Sequence, residues 1–309
     1  VTQARPFATP RGSAQRVNQS LAFGCLGLLA LSIVAPAILI VWFVLAKGGS
    51  MLSVEFLTAM PKDGMTAGGI FPAIAGSIGL VLATMVFAVP VGVLGAVYLS
   101  EYARQGLLVR AIRIAIMNLA GVPSIVYGLF GMGVFVMVVM PAIINALNLD
   151  PHEYSRSCLL SGAATLALLV LPMIITTSEE ALRQVPQHQR HASLALGATK
   201  WQTIWRIVLP NAMPGILTGL VLAIGRAAGE TAPILLTGAV FYMSRMPGAH
   251  DALFKPFMAL PYHLFAIATQ LPTAPDELKW GVALVLLSIV LGFNIIAVAM
   301  RTYLRRKRV

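Results

Sequence analysis

ILTGLVLAIGRAAGETAPILLTGAV, residues 216–240, holds two charges, Arg226 and Glu230, among twenty-three residues that are apolar, small or hydroxylic. About 20 apolar residues cross the hydrocarbon core of a bilayer, so the stretch reads as a membrane span with an ion pair inside it. The whole chain supports that reading. Of 309 residues 58% are hydrophobic and 11% charged, with a mean hydropathy of +0.84; a soluble domain has about 45–50% and about 25%. Six segments are long and apolar enough to span: 21–46, 70–98, 112–139, 159–177, 212–236 and 281–300. The expected fold is all-α, a polytopic membrane protein with six transmembrane helices. Pro90 and Pro123 fall within the second and third segments, where they mark either kinks or a re-entrant break.

Lysine and arginine set the expected orientation. With the N-terminus inside, fifteen of the 22 lie in the cytoplasmic pieces 1–20, 101–113, 179–209 and 301–309, and six lie in the external loops. This positive-inside bias puts both termini in the cytoplasm. The basic residues fall between spans and form no stripe with aromatics, so the sequence pI near 10.2 points to topology and membrane lipid, not to nucleic acid. Cys25 and Cys158 lie in or beside apolar segments and suggest no disulfide framework. The polar N-terminus and long first span are unlike a cleavable signal.

Outside the spans, the external loop 237–280 holds the turn and aromatic stretches PGAHD, ALPYHLF and QLPTAPDE. The tail 301–309 reads as a stop-transfer and anionic-lipid anchor. The internal loop 179–210 looks folded. A helix should stop at Pro186, a second should run from Gln187 to Leu196, and Gly197 suits a left-handed cap. Trp201, Ile204, Trp205 and Val208 then recur at i, i+3, i+4 and i+7, the spacing of one apolar helical face. Such a unit is either a knob beneath the membrane or an interfacial helix on the headgroups.

HASLALG followed by nine residues and IVLP, His191 to Pro210, resembles the EAA loop of bacterial ABC importer permeases. Gly197, Ile207, Leu209 and Pro210 keep the register. His191 stands in place of the usual glutamate and Ser193 in place of the second alanine, which removes an ionic contact the loop normally makes. The histidine is either a titratable group or a solvated loop residue. The resemblance implies the type I (MetI-like) importer architecture and a loop that docks on an ATP-binding subunit through His191, Ala192, Ser193, Leu196, Gly197, Ala198, Lys200 and Trp201. No Gly-Lys dipeptide occurs in the chain, so it has no P-loop of its own. No cofactor is expected on this chain; ATP and Mg²⁺ belong to the partner ATPase.

Charge at bilayer depth costs ~2.5–3.5 kcal/mol per residue and usually faces a cavity or another charge. Arg226 and Glu230, at i and i+4, are either a structural salt bridge or an anion site. In the second case the arginine fork meets an oxyanion, Glu230 tempers its affinity, and Thr231 adds a hydroxyl. Ser124 and Tyr127 of GVPSIVYG either line the same path or bond to helix carbonyls. Gly215, Gly219, Gly225 and Gly229 form two pairs at four-residue spacing, a pattern that lets helices approach closely.

GRAAGETAPILLTG resembles the signature of phosphate ABC transporter permeases of the PstA type. YLSEYA (98–103), LAGVPSIVYGLFG (119–131) and ALPYHLFAIA (259–268) extend the resemblance over about residues 70–300. Hydropathy and charge give a cytoplasmic tail 1–20, a first span 21–46 and the basic tail 301–309, and the resemblance implies a permease core 70–300 with its coupling loop 179–210. It implies a bacterial inner-membrane subunit working with a PstC-like sister permease, a PstB-like ATPase dimer and a PstS-like extracytoplasmic phosphate-binding protein. Three alternatives stand beside it: the sister PstC type, a permease for another oxyanion such as sulfate or molybdate, and an ion-coupled secondary carrier. A proton relay usually uses more than one intramembrane acid, and Glu230 stands alone. An enzyme is disfavoured because His152 and Glu153 lack the second histidine of HExxH.

Overall fold

The computed structural model describes residues 13–104, 106–243, 245–248 and 251–306. Arg5, Arg11, residues 249–250 of the PGAHD turn and residues 307–309 of the basic tail lie outside the described residues, as do the side chains of 13–17 and 304–306. Among the described residues six helical runs are long and apolar enough to cross a membrane: Asn18–Met51, Phe71–Tyr102, Ser124–Ala146, Leu159–Arg183, Lys200–Gly229 and Asp276–Tyr303.

The first helix, α1 (Ser13–Gly48), is exposed along most of its length, an apolar rod suited to lipid or to another chain. Only its end docks, with Gly48 against Trp280 and Leu284 and the Lys47 ammonium over the Trp280 ring. A short helix α2 (Val54–Thr58) and a hairpin, β1 (Pro61–Lys62) and β2 (Ala67–Gly68), lead to the second span, α3 (Phe71–Val97). Pro90 sits inside α3 without ending it, and a π-helical turn closes the span at Tyr98–Tyr102.

The third span departs from the hydropathy reading. Residues 112–139 are not one helix. An amphipathic helix α4 (Leu107–Ala120), carrying Arg110 and Arg113, stops before Pro123. The proline lacks an N–H and pushes its predecessor out of the helical region. The span proper begins at α5 (Ser124–Gly131) and passes through a π-helical stretch, Met132–Val139, into α6 (Met140–Ala146).

The fourth span, α7 (Leu159–Arg183), is the axis of the bundle. It packs against α3, α4 and α5, and sixteen of its 25 residues are buried. The segment after it forms α8 (Gln187–Ala195) and α9 (Lys200–Thr203), then a π turn, Ile204–Val208, that runs into α10 (Leu209–Gly229). Beyond α10 lie α11 (Ala232–Thr237), α12 (Leu260–Thr269) and the last span α13 (Asp276–Arg306).

On the face opposite α8 and α9, the segments joining spans one to two and five to six share a core. Phe56, Met65, Met258, Leu260, Ile267 and Leu278 meet in it, and Leu260 N–H donates to Ser77 Oγ at 2.7 Å.

Candidate functional site

Two close approaches fix how α10 lies on α7. A Cβ at Gly215 would stand 2.6 Å from Ala181 Cβ, and one at Gly219 would overlap the Thr177 hydroxyl. The absence of side chains at both positions lets the antiparallel backbones meet. Carried seven residues further, that register sets Arg226 level with Val170, near the middle of α7. The common core of Ala223, Ala227, Leu169 and Val170 agrees with it.

At that depth the helix breaks. α10 ends at Gly229, Glu230 is extended (φ −75°, ψ 131°), and Thr231 leads into α11. Glycine holds a helix poorly, and Pro233 has no N–H to give the Gly229 carbonyl. The expectation of one continuous span over 212–236 with both charges on a regular helical face is therefore corrected. Arg226 and Glu230 do pair, Nε to Oε1 at 3.4 Å, but Glu230 reaches back from the broken end. The side chains are 30% and 18% exposed. Leu222, one turn before, and Gly229, one turn after, are also exposed, so the pair lies on a side of α10 that this chain leaves uncovered.

Ser124 and Tyr127 stand at the start of α5, which meets α11 where Gly128 faces Ala232 and Pro233. Tyr127 is buried with Ala223 and Ala227, and its hydroxyl donates to the Leu119 carbonyl at 2.8 Å. That bond bridges the gap between α4 and α5. Of the two readings of Tyr127, the bond to a helix carbonyl is the one observed. Ser124 and Thr231 are half-buried, and neither hydroxyl has a partner among the described residues. Sequence reasoning missed Asn294 of α13. It faces Gly225, and its buried Oδ1 has no donor among the described residues. A lone amide in the apolar run LGFNIIAVAM was the available signal.

The second constellation is the knob of α8 and α9. Gly197 takes the left-handed conformation (φ +81°) and ends α8, as its sequence context suggests. Thr199 and Gln202 then start α9 through a reciprocal capping box. Ser193 earns its place by a 2.9 Å hydroxyl contact with Thr203, which ties α8 to α9. Asn211 Nδ2 donates to Gln189 Oε1 at 3.0 Å and ties α8 to α10. Lys200 lies 4.8 Å over the Tyr102 ring.

The expected single apolar face is corrected. Ile204 and Val208 are buried, but Trp201 and Trp205 are 57% and 42% exposed, with ring centroids 5.2 Å apart. The apolar arc is split: Ile204 and Val208 take its core side and the two tryptophans its outer edge. Leu196 is 90% exposed, and His191, Ala192 and Gly197 are exposed beside it, with Ala198 half-covered. A polar loop that displays Leu196 and two tryptophans has an apolar surface suited to a partner.

Beneath the knob lies an ionic cluster that periodicity did not reveal. Arg190 is buried and donates to Glu101 at 2.8 Å, to the Leu182 carbonyl at 2.8 Å, and to the Val185 carbonyl. Glu179 accepts from Arg113 Nε at 2.9 Å and from Arg183 at 2.7 Å. Arg113 also donates to the Leu99 carbonyl at 3.1 Å.

Residues 88–309 match the family described as binding-protein-dependent transport system inner membrane component. The chain is 32% identical over 303 residues to the probable ABC transporter permease protein YqgI of Bacillus subtilis, covering 95% of this chain and 98% of that protein. It is 34% identical over 277 residues to the phosphate transport system permease protein PstA 1 of Mycobacterium tuberculosis, covering 88% and 85%. The PstA of Mycobacterium leprae is 37% identical over 248 residues, covering 80% and 75%. Among solved structures, a bacterial ABC transporter involved in the import of the polysaccharide alginate has a chain that superposes with a TM-score of 0.62. That match is at 15% identity, over 93% of this chain and 96% of that one, a likeness of fold. The inward-facing MetNI methionine ABC transporter gives a TM-score of 0.53 at 17% identity, covering 76% and 97%.

Proposed function

Because the chain belongs to the family of binding-protein-dependent transport system inner membrane components, we propose that it is the PstA-type permease subunit of an ATP-driven importer of inorganic phosphate. It is a multi-pass membrane transport protein. In this reading it forms the translocation path with a sister permease of PstC type. Names of relatives at 34 and 37% identity support phosphate over sulfate or molybdate.

The observation that carries the reading is the Arg226–Glu230 pair at a helix break, level with the middle of α7, on an uncovered side of α10. Turned toward lipid, each charge would cost ~2.5–3.5 kcal/mol, and unwound backbone would expose polar groups to hydrocarbon. Both costs fall away if that side borders a water-filled path closed by the sister subunit. Discontinuous helices at mid-membrane are where carriers commonly bind their cargo. The long 3.4 Å contact uses only one edge of the Arg226 guanidinium, so the fork remains open to phosphate oxygens. Glu230 competes for it and favours release. Thr231, Ser124 and Asn294 offer neutral groups nearby, whereas the Tyr127 proton is already committed.

The knob supplies the coupling. Leu196, Gly197, Ala198, Lys200 and Trp201, with His191, Ala192 and Ser193, form the docking surface for a separate ATPase. ATP and Mg²⁺ are held by that subunit, and this chain is non-catalytic. The knob side and both termini face the cytoplasm, in keeping with the distribution of lysine and arginine, and the opposite side receives phosphate from an extracytoplasmic binding protein. Closure of the ATPase dimer pushes the knob and opens the bundle outward; hydrolysis resets it.

The test is uptake of labelled phosphate into proteoliposomes holding the assembled complex with its binding protein. Uptake should require ATP and survive an uncoupler. Uptake that ignores ATP and collapses with the proton gradient would establish the secondary carrier instead. Transport of sulfate or molybdate in preference to phosphate would establish the other oxyanion reading.

A further inference from the structure

A knob that docks on an ATPase moves the spans only if it is fastened to them, and the fastening here is specific. Besides the exposed Gln189–Asn211 bond to α10, α8 is fastened to the membrane bundle by a buried cation, Arg190. Its guanidinium meets three acceptors on two different spans: Glu101 in the π turn that ends α3, and the Leu182 and Val185 carbonyls at the end of α7. The Leu182 carbonyl also accepts from Val185 N–H, so Arg190 adds a second donor there and takes the Val185 carbonyl just past the helix end. The Glu101 and Arg190 side chains are 10% and 11% exposed, so the pair is little screened by solvent or salt. The same π turn is gripped from a second direction, because Arg113 of α4 donates to Leu99 while holding Glu179 of α7. Arg183, on the outer side of Glu179, is half exposed and is the weakest member of the cluster.

We propose that Arg190 and Glu101 form the joint through which the knob drives the spans. Arg190 is a positioning residue: it touches neither phosphate nor ATP, and it makes α8 and the cytoplasmic ends of α3 and α7 one moving body. The joint rests on the importer reading given above. Of the other ties of the knob, Gln189 to Asn211 and Ser193 to Thr203 bind it to the segment that leads into α10, and Lys200 lies over the Tyr102 ring of the π turn at its exposed edge. Among the described residues, Arg190 alone joins the knob to α3 by a charge pair. Loss of the pair leaves the docking surface intact and separates hydrolysis from movement. Lysine is a poor substitute, since a single ammonium lacks the planar fork that reaches three acceptors at once.

The experiment uses the whole complex in proteoliposomes and reads phosphate uptake and ATP hydrolysis together. Glu101→Gln and Arg190→Met should leave hydrolysis without binding protein within about twofold of the parent. Each should raise the ATP spent per phosphate at least tenfold, and the exchanged pair Glu101→Arg with Arg190→Glu should recover part of the coupling. Arg190→Lys should fall between the parent and Arg190→Met. If Arg190→Met fails to assemble, Glu101→Gln, close to its parent in shape, decides the matter. An unchanged ATP-to-phosphate ratio in Glu101→Gln, with parent-like uptake, overturns the joint. An equal fall in hydrolysis and uptake, with the ratio kept, would show a purely structural pair and also overturns it. Failure of the parent complex to take up phosphate with ATP would instead refute the importer reading.

Discussion

Arg190 and Arg226 each stand beside a glutamate, yet their surroundings differ. Arg190 is buried and holds three acceptors, so its fork is largely spent. Arg226 makes one long contact and keeps most of its donors, as a transient anion site requires. Arg226→Lys retains the charge but loses the fork. It should slow uptake about tenfold, the equivalent of one charge-assisted hydrogen bond at roughly 1.5 kcal/mol, measured as the initial rate of labelled phosphate entry. His263 of α12 makes a separate point. It is 2% exposed, and its Nδ1 has no partner among the described residues. Burial pushes its pKa down from 6.5 to about 4. Between pH 6.5 and pH 4 the unfolded chain binds a proton that the folded chain refuses, so stability is full above pH 6.5 and falls on acidification. At pH 5 the loss is about 2 kcal/mol relative to pH 7.5. Thermal unfolding in detergent should show the midpoint falling over that range in the parent and falling less in His263→Leu.

At the scale of elements, glycine decides how α10 sits and where it stops. A side chain at 219 has no room against Thr177, so Gly219→Ala should destabilise the chain by about 1–3 kcal/mol through overpacking. Thr177→Gly in the same chain should return part of that loss, read as the thermal midpoint of the purified protein. Hydropathy makes the existence and order of the spans legible, because crossing a bilayer needs length and little else. It is blind to interruptions that cost few apolar residues. Gly229 and Pro233 were visible around the break at Glu230, as was Pro123 before α5, but an apolar average passes over each of them. The π turns at 98–102, 132–139 and 204–208 were not legible either. Each adds a residue to a turn without changing composition. The cap at Gly197 was legible, since a left-handed residue ending a polar helix has a direct chemical signature.

For the molecule as a whole, the two sites are joined by α7 and α10. The knob grips the C-terminal end of α7, and the Arg226 break lies level with its middle. Motifs pointed to the Arg226–Glu230 pair and to the 191–201 loop because both are local in sequence. The joint between Glu101 and Arg190 spans 89 residues, and such a contact emerges only once α3, α7 and α8 are packed. The uncovered sides of α1, α5 and α10 are consistent with a subunit completed by lipid and a second permease. The central claim is that Arg226 meets the transported anion instead of merely balancing Glu230. Its most direct test is ATP-driven phosphate uptake by the Arg226→Ala, Glu230→Ala double variant in the reconstituted complex, since removing both partners strands no lone charge. The account predicts uptake at least tenfold below the parent with the subunits still assembled. Parent-like uptake by the double variant would contradict it and reduce the pair to a salt bridge between helix ends.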